Sequence, residues 1–178
     1  MNKIFGLISD FAPVREEGTR IVVSYGKVDV DENNATWIEV YLPKKKTPSI
    51  LTLKMVKDAI INDINAKTDE KILSGFVWNN KPVWLSTESQ FDFKAAYDLA
   101  VQAEGASLPV KFKLGEDENG DPVYHTFTAL NSFTDFYTKA IAYINQCLND
   151  GWEEKDGIDW TPYEALFPQP EQQTNVEE

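Results

Sequence analysis

Ile72-Leu73-Ser74-Gly75-Phe76-Val77-Trp78-Asn79-Asn80-Lys81-Pro82-Val83-Trp84-Leu85-Ser86-Thr87-Glu88-Ser89-Gln90 reads as a tight hairpin delivered straight into a capped helix. Two short apolar runs flank Asn79-Asn80, and asparagine tolerates positive φ better than most residues, so the pair suits a two-residue turn. Thr87 and Gln90 fit a capping box, in which the Thr87 hydroxyl accepts from the backbone N–H three residues on and Gln90 reaches back to the N–H of Thr87. The helix is expected from about Glu88 to Ala103, with Phe91, Ala95, Ala96 and Leu99 inward and Gly105 as its stop. This stretch specifies a fold and no chemistry.

Downstream, Leu108, Val110, Phe112 and Leu114 alternate with Lys111 and Lys113, then residues 115–122 are dense in turn formers and Val123 to Thr128 returns. A last helix carries the cleanest stripe: Phe133, Phe136, Tyr137, Ala140, Ile141, Ile144, Cys147 and Leu148. Asn131 or Ser132 is expected to cap it, and its end lies either at Gly151 or beyond Trp152. From Phe167 onward there is no apolar period, so a mobile tail is expected.

Upstream, residues 19–42 read as a hairpin turning at Asp31-Glu32-Asn33-Asn34. Trp37, Glu39 and Tyr41 lie on one face of the return strand, and Ile38, Val40 and Leu42 on the other. Pro43 should end that strand. Leu53, Val56, Ile60 and Ile64 predict a helix over about 52–66, with Thr68 opening a linker. The apolar N-terminal run is too short for a signal peptide and ends at Asp10, so it reads as a first strand or docking arm.

Composition narrows the function classes. The 178 residues suit one moderate domain or two small ones. No apolar run approaches the length of a membrane span. The single Cys147 excludes an internal disulfide and is expected to be buried, and with one histidine it cannot build a Cys/His zinc site. Of the net charge of −12, residues 150–178 carry −8, so the acidity is mostly C-terminal. Lys44-Lys45-Lys46 is the one basic cluster and suits a solvated loop, so no nucleic-acid partner is expected.

Chemical motifs are sparse. Asp29-x-Asp31-x-Asn33 and Asp117-x-Asn119-x-Asp121 begin like calcium loops. The sixth and twelfth positions, which require Gly and a bidentate Glu, hold Asn34 and Val40 in one and Pro122 and Thr128 in the other. Neither is expected to bind metal. His125 shares a strand face with Val123 and Phe127, as a core-edge residue would. The sequence has no Gly-x-Ser-x-Gly and no phosphate-binding Gly-Lys-Ser/Thr loop. The chain is therefore expected to be no enzyme and to need no cofactor. The aromatics suit either core packing or contact surfaces, which gain large area at low entropy cost. Trp37, Tyr41, Trp78, Trp84 and Phe5 are the interface candidates.

The second half resembles a domain of unknown function found in tail-region proteins of tailed phages and prophages, near tail-fibre genes. The resemblance rests on Phe76 to Leu85, on Ser86-Thr87-Glu88-Ser89-Gln90, on Ala95-Ala96, on Phe112-Lys113 and on Ala142-Tyr143-Ile144-Asn145-Gln146-Cys147. It covers about residues 71–160. Phe112 stands where many relatives have Trp, and a long acidic turn follows it. The resemblance implies a virion-associated tail protein or a tail-fibre assembly or attachment factor. It would act by protein–protein contact with other tail or fibre proteins, or as a homo-oligomer. Its place would be the tail region of the virion, and the host cytoplasm during assembly. The alternative is a small phage-encoded binder that inhibits a host defence factor. The expected fold class is α+β: an N-terminal β-hairpin and helix in 1–70, a ββαββα-like module in 71–160, and a disordered acidic tail in 161–178.

Overall fold

A computed structural model describes residues 2–44 and 50–168. The chain is α+β. Its elements are β1 (Asn2–Leu7), β2 (Val14–Glu17), β3 (Arg20–Asp29), β4 (Asn34–Pro43), α1 (Leu53–Ser74), β5 (Phe76–Trp78), β6 (Lys81–Val83), α2 (Thr87–Gln102), β7 (Val110–Glu116), β8 (Pro122–Phe127), α3 (Leu130–Asp156) and the one-turn α4 (Thr161–Glu164). The chain divides into two units, one of Met1–Ile64 with the chain from Lys155 on, the other of Asn65–Glu154.

In the first unit the expected hairpin is the centre of a four-stranded antiparallel sheet, ordered β1-β4-β3-β2. The N-terminal run is a strand, Asn2 to Leu7 pairing with Glu39 to Asn34. At the turn, one Asp31 carboxylate oxygen accepts from the backbone N–H of Asn33 and Asn34, both at 2.8 Å. Thr52 caps α1, its hydroxyl accepting from Met55 N at 3.3 Å. The four-residue steps Val56, Ile60 and Ile64 then stack against Val23 and Tyr25.

The chain from Lys155 on corrects the expected tail. Trp160, Tyr163 and Phe167 pack on the core of the first unit, so the packed part of that segment reaches at least Phe167. Residues 169–178, where the rest of the expected tail falls, lie outside the described residues, as do Lys45 and Lys46.

In the second unit Asn79 and Asn80 take φ of 49° and 59°, so β5 and β6 close through the expected tight turn. The β5–β6 hairpin meets β7 through Trp84 N–H to Leu114 O at 2.7 Å. The core is aromatic. Phe127 stacks on Phe133 with centroids 4.5 Å apart, and Phe136 meets Phe93 edge-on at 5.0 Å and Trp78 at 5.3 Å. Fully burying each such ring contributes about 1.5–3 kcal/mol.

Four local expectations are corrected here. No linker opens at Thr68: α1 runs to Ser74 because Thr68 is itself buried, one four-residue step beyond Ile64, and no Gly or Pro interrupts before Gly75. The cap of α2 lies one residue earlier, where Ser86 Oγ accepts from Ser89 N at 3.1 Å and Gln90 Nε2 donates to Leu85 O at 2.6 Å. The inward face of α2 is Phe93, Ala96, Tyr97 and Ala100, whereas Phe91 is 73% and Leu99 56% exposed. Finally, α3 begins at Leu130, which puts Asn131 and Ser132 inside it; of the two ends expected for it, the one beyond Trp152 is found, at Asp156.

Candidate functional site

The five aromatic candidates separate by burial. Trp37 and Trp78 are each 3% exposed and belong to cores, which removes both as contact residues. Trp37 lies over Gly6, where a Cβ would sit 2.8 Å from Cη2 of the indole, and meets Phe11 edge-on at 5.9 Å. Trp78 donates its Nε1–H to Asp135 at 2.9 Å. The other three reach solvent. Tyr41 carries the Arg20 guanidinium 4.2 Å above its ring, and Trp84 carries the Lys113 ammonium at 5.3 Å. Phe5 is 64% exposed.

Phe5 does not stand alone. Residues directly opposite across a sheet point to the same face. Phe5 opposes Thr36, and Thr36 opposes Val28; Leu7 opposes Asn34, which accepts the backbone N–H of Val30 at 2.8 Å. Phe5 and Leu7 of β1, Val28 of β3 and Val30 just beyond it therefore share one face at one end of the sheet, on either side of Thr36 and Asn34 of β4, and form a patch in which each apolar side chain is 50–64% exposed. It shares a face with Ile38, Val40 and Leu42, which pack on the core of the first unit.

The opposite face holds a polar cluster that the sequence reading missed. Glu39 Oε1 accepts from Arg15 Nη2 at 2.9 Å and from Trp37 Nε1 at 3.0 Å, and Oε2 accepts from the Tyr41 hydroxyl at 3.3 Å. Arg15 Nη1 also donates to Ser24 Oγ at 3.4 Å. Burial pushes the Glu39 carboxyl up, but the donors from Trp37 and Arg15 outweigh it and hold the group below its ordinary value. It is a fixed, paired anion. The available signal was a Glu between Trp37 and Tyr41 on one strand face. Ile4, Gly6, Asp10, Arg15, Trp37 and Glu39 surround an open cleft of about 340 Å³ there.

In the second unit His125 sits between the rings of Trp78 and Phe127 at 4.9 and 4.6 Å. Its Nδ1 is 3.2 Å from Lys81 Nζ, an arrangement that makes Nδ1 the acceptor. Burial, then the Lys81 charge, holds its pKa below the ordinary histidine value, so the ring is neutral at pH 7. Val77, Asn80, Pro82 and Glu116 to Asn119 line a second open cleft of about 620 Å³. Among the described residues no three His, Cys, Asp or Glu side chains are grouped to hold a metal ion, and no helix is long and apolar enough to cross a membrane. One Asp117 carboxylate oxygen accepts backbone N–H groups of its own turn, from Asn119 at 2.9 Å and Asp121 at 3.0 Å.

These features define a mixed α+β chain in which four of the exposed apolar side chains, Phe5, Leu7, Val28 and Val30, lie at one end of a sheet. Residues 55–172 match the model of a domain of unknown function, DUF4376, and the chain belongs to that family. No curated protein and no solved structure matches it.

Proposed function

We propose that this chain is a bacteriophage protein of the tail region, carried in the virion or acting in tail-fibre assembly and attachment, and that it works by protein–protein contact. The observation that carries the contact reading is the patch of Phe5, Leu7, Val28 and Val30. Scattered apolar side chains are ordinary on a protein surface, but grouped ones mark a place where something docks. The phage setting rests on the resemblance of residues 71–160 to tail-region proteins. The Glu39–Arg15 pair serves this reading by tying β2 to β4 across β3 on the opposite face of the sheet.

The test is deletion of the gene from the phage or prophage that carries it. Loss of fibre attachment and of infectivity is expected. Unchanged fibres and infectivity, in particles that contain no copies of the chain, would overturn the reading. Early expression together with those results would favour the host-defence inhibitor.

A further inference from the structure

We propose that the open edge of β1 pairs antiparallel with β1 of a second copy, joining two four-stranded sheets into one across a two-fold axis. The proposal deepens the contact reading by naming one partner, and it rests on that reading only in taking the exposed apolar patch as a docking surface.

Backbone parity identifies the free groups. β1 and β4 pair antiparallel, and just beyond the strand Ile8 N–H donates to Asn33 O at 2.8 Å. In an antiparallel ladder the bonded positions alternate. Gly6, Ile4 and Asn2 thus face β4 with their N–H and C=O groups, and Leu7, Phe5 and Lys3 point theirs outward from the edge. Those same three residues place their side chains on the face that carries the apolar patch.

This edge is self-complementary. With Phe5 opposite Phe5 of the second copy, Lys3 falls opposite Leu7 of that copy, and all three positions exchange N–H and C=O bonds. Like charges are not brought together, because Lys3 faces a leucine. The Phe5 rings flank each other at the axis, and the Val28–Phe5 rows of the two copies become continuous. An interface of this kind is isologous and closes as a dimer.

The other edge of the sheet differs in the ways that guard edges against pairing. β2 is four residues long and reads Val14-Arg15-Glu16-Glu17. Glu17 pairs with Arg20 at 2.7 Å, and Glu16 pairs with Lys44. β1 is six residues long, with Lys3 as its one charged side chain, and two of its three outward positions are exposed apolar residues. A dimer through β1 leaves only guarded edges.

The experiment is sedimentation equilibrium of the full chain over a wide concentration range, with hydrogen exchange at the β1 amides. A species of twice the 20.2 kDa chain mass is expected, with the Lys3, Phe5 and Leu7 amides protected as it forms. Phe5→Pro removes an outward N–H without touching the β4 ladder, and should weaken association by roughly tenfold or more while leaving the circular dichroism unchanged. Leu7→Lys puts an ammonium beside Lys3 of the other copy and should also dissociate the dimer; adding Lys3→Glu should restore it. A single-chain mass at every concentration, or a dimer indifferent to Phe5→Pro and to the charge swap, would overturn the proposal. Neither result bears on whether the chain is found in virions, so the two readings fail separately.

Discussion

The phenol of Tyr163 donates a 2.6 Å hydrogen bond to the carbonyl oxygen of Ser24, 139 positions earlier in the chain. The bond is buried and ties α4 to β3. Tyr163→Phe leaves the Ser24 carbonyl short of a partner and should destabilise the first unit by about 1–2 kcal/mol. Urea denaturation followed by tryptophan fluorescence would measure it.

The same phenol sets an alkaline limit. Burial, aided by the Asp159 charge, pushes its pKa up to about 12. An unfolded tyrosine ionises near 10, so its contribution is complete below that value and falls as pH rises from 10 toward 12. Tyr143, likewise pushed up to about 12 mainly by burial, adds to the slope. Stability measured from pH 9 to pH 11.5 should fall, and fall less steeply in Tyr163→Phe.

Arg15→Met keeps the aliphatic stem and removes the charge facing Glu39. The Arg15 side chain is 35% exposed, so the loss should stay near about 1–3 kcal/mol and not reach the full cost of orphaning a buried charge. The Glu39 carboxyl is held below its ordinary value of 4.5, so its contribution is present above that pH and lost as pH falls through the depressed value. Without Arg15 the folded value moves back up toward 4.5, so the variant should lose less stability than the parent as pH falls through that region. Denaturation midpoints at pH 7, 5 and 4 in both proteins would show it.

His125 makes the second unit sensitive to milder acid. Its folded pKa lies below the ordinary 6.5, so stability is full above 6.5 and declines as pH falls below it, when the ring must charge beside Lys81. His125→Phe should flatten stability between pH 6.5 and pH 5. A nuclear magnetic resonance titration of the His125 ring giving a pKa above 6.5 would contradict this.

Gly151 lies within α3, where alanine would ordinarily add about 1 kcal/mol of helix propensity. Here a Cβ would overlap the Thr68 hydroxyl of α1. Gly151→Ala should therefore destabilise, by about 1–3 kcal/mol. The cost should shrink in a Thr68→Ala background, so a double-mutant cycle on thermal denaturation should return a coupling between the two positions.

Local chemistry made the turns and strands of the second unit legible in advance. Asn79-Asn80 announced its hairpin because positive φ is a local demand. Features that failed to read were those set by distant partners. Thr68 looked like a break because its contact, Gly151, lies 83 positions away. On α2 two stripes of similar composition compete, Phe91-Ala95-Leu99 and Phe93-Ala96-Tyr97-Ala100, and the packing against Phe112, Phe133 and Phe136 selects the second. β2 carries three charges in four residues and is recognisable as a strand only beside β3. Among the candidate contact residues, Phe5 was legible as an apolar residue of an N-terminal arm. Trp37 and Trp78 were not, since their burial depends on Gly6, Phe11 and Asp135.

Mass spectrometry of purified particles, with the chain quantified against known tail proteins, addresses the proposed role most directly. Copies at a fixed ratio to a tail or fibre protein are expected. Particles without the chain, and with normal fibres and infectivity when the gene is deleted, would contradict it.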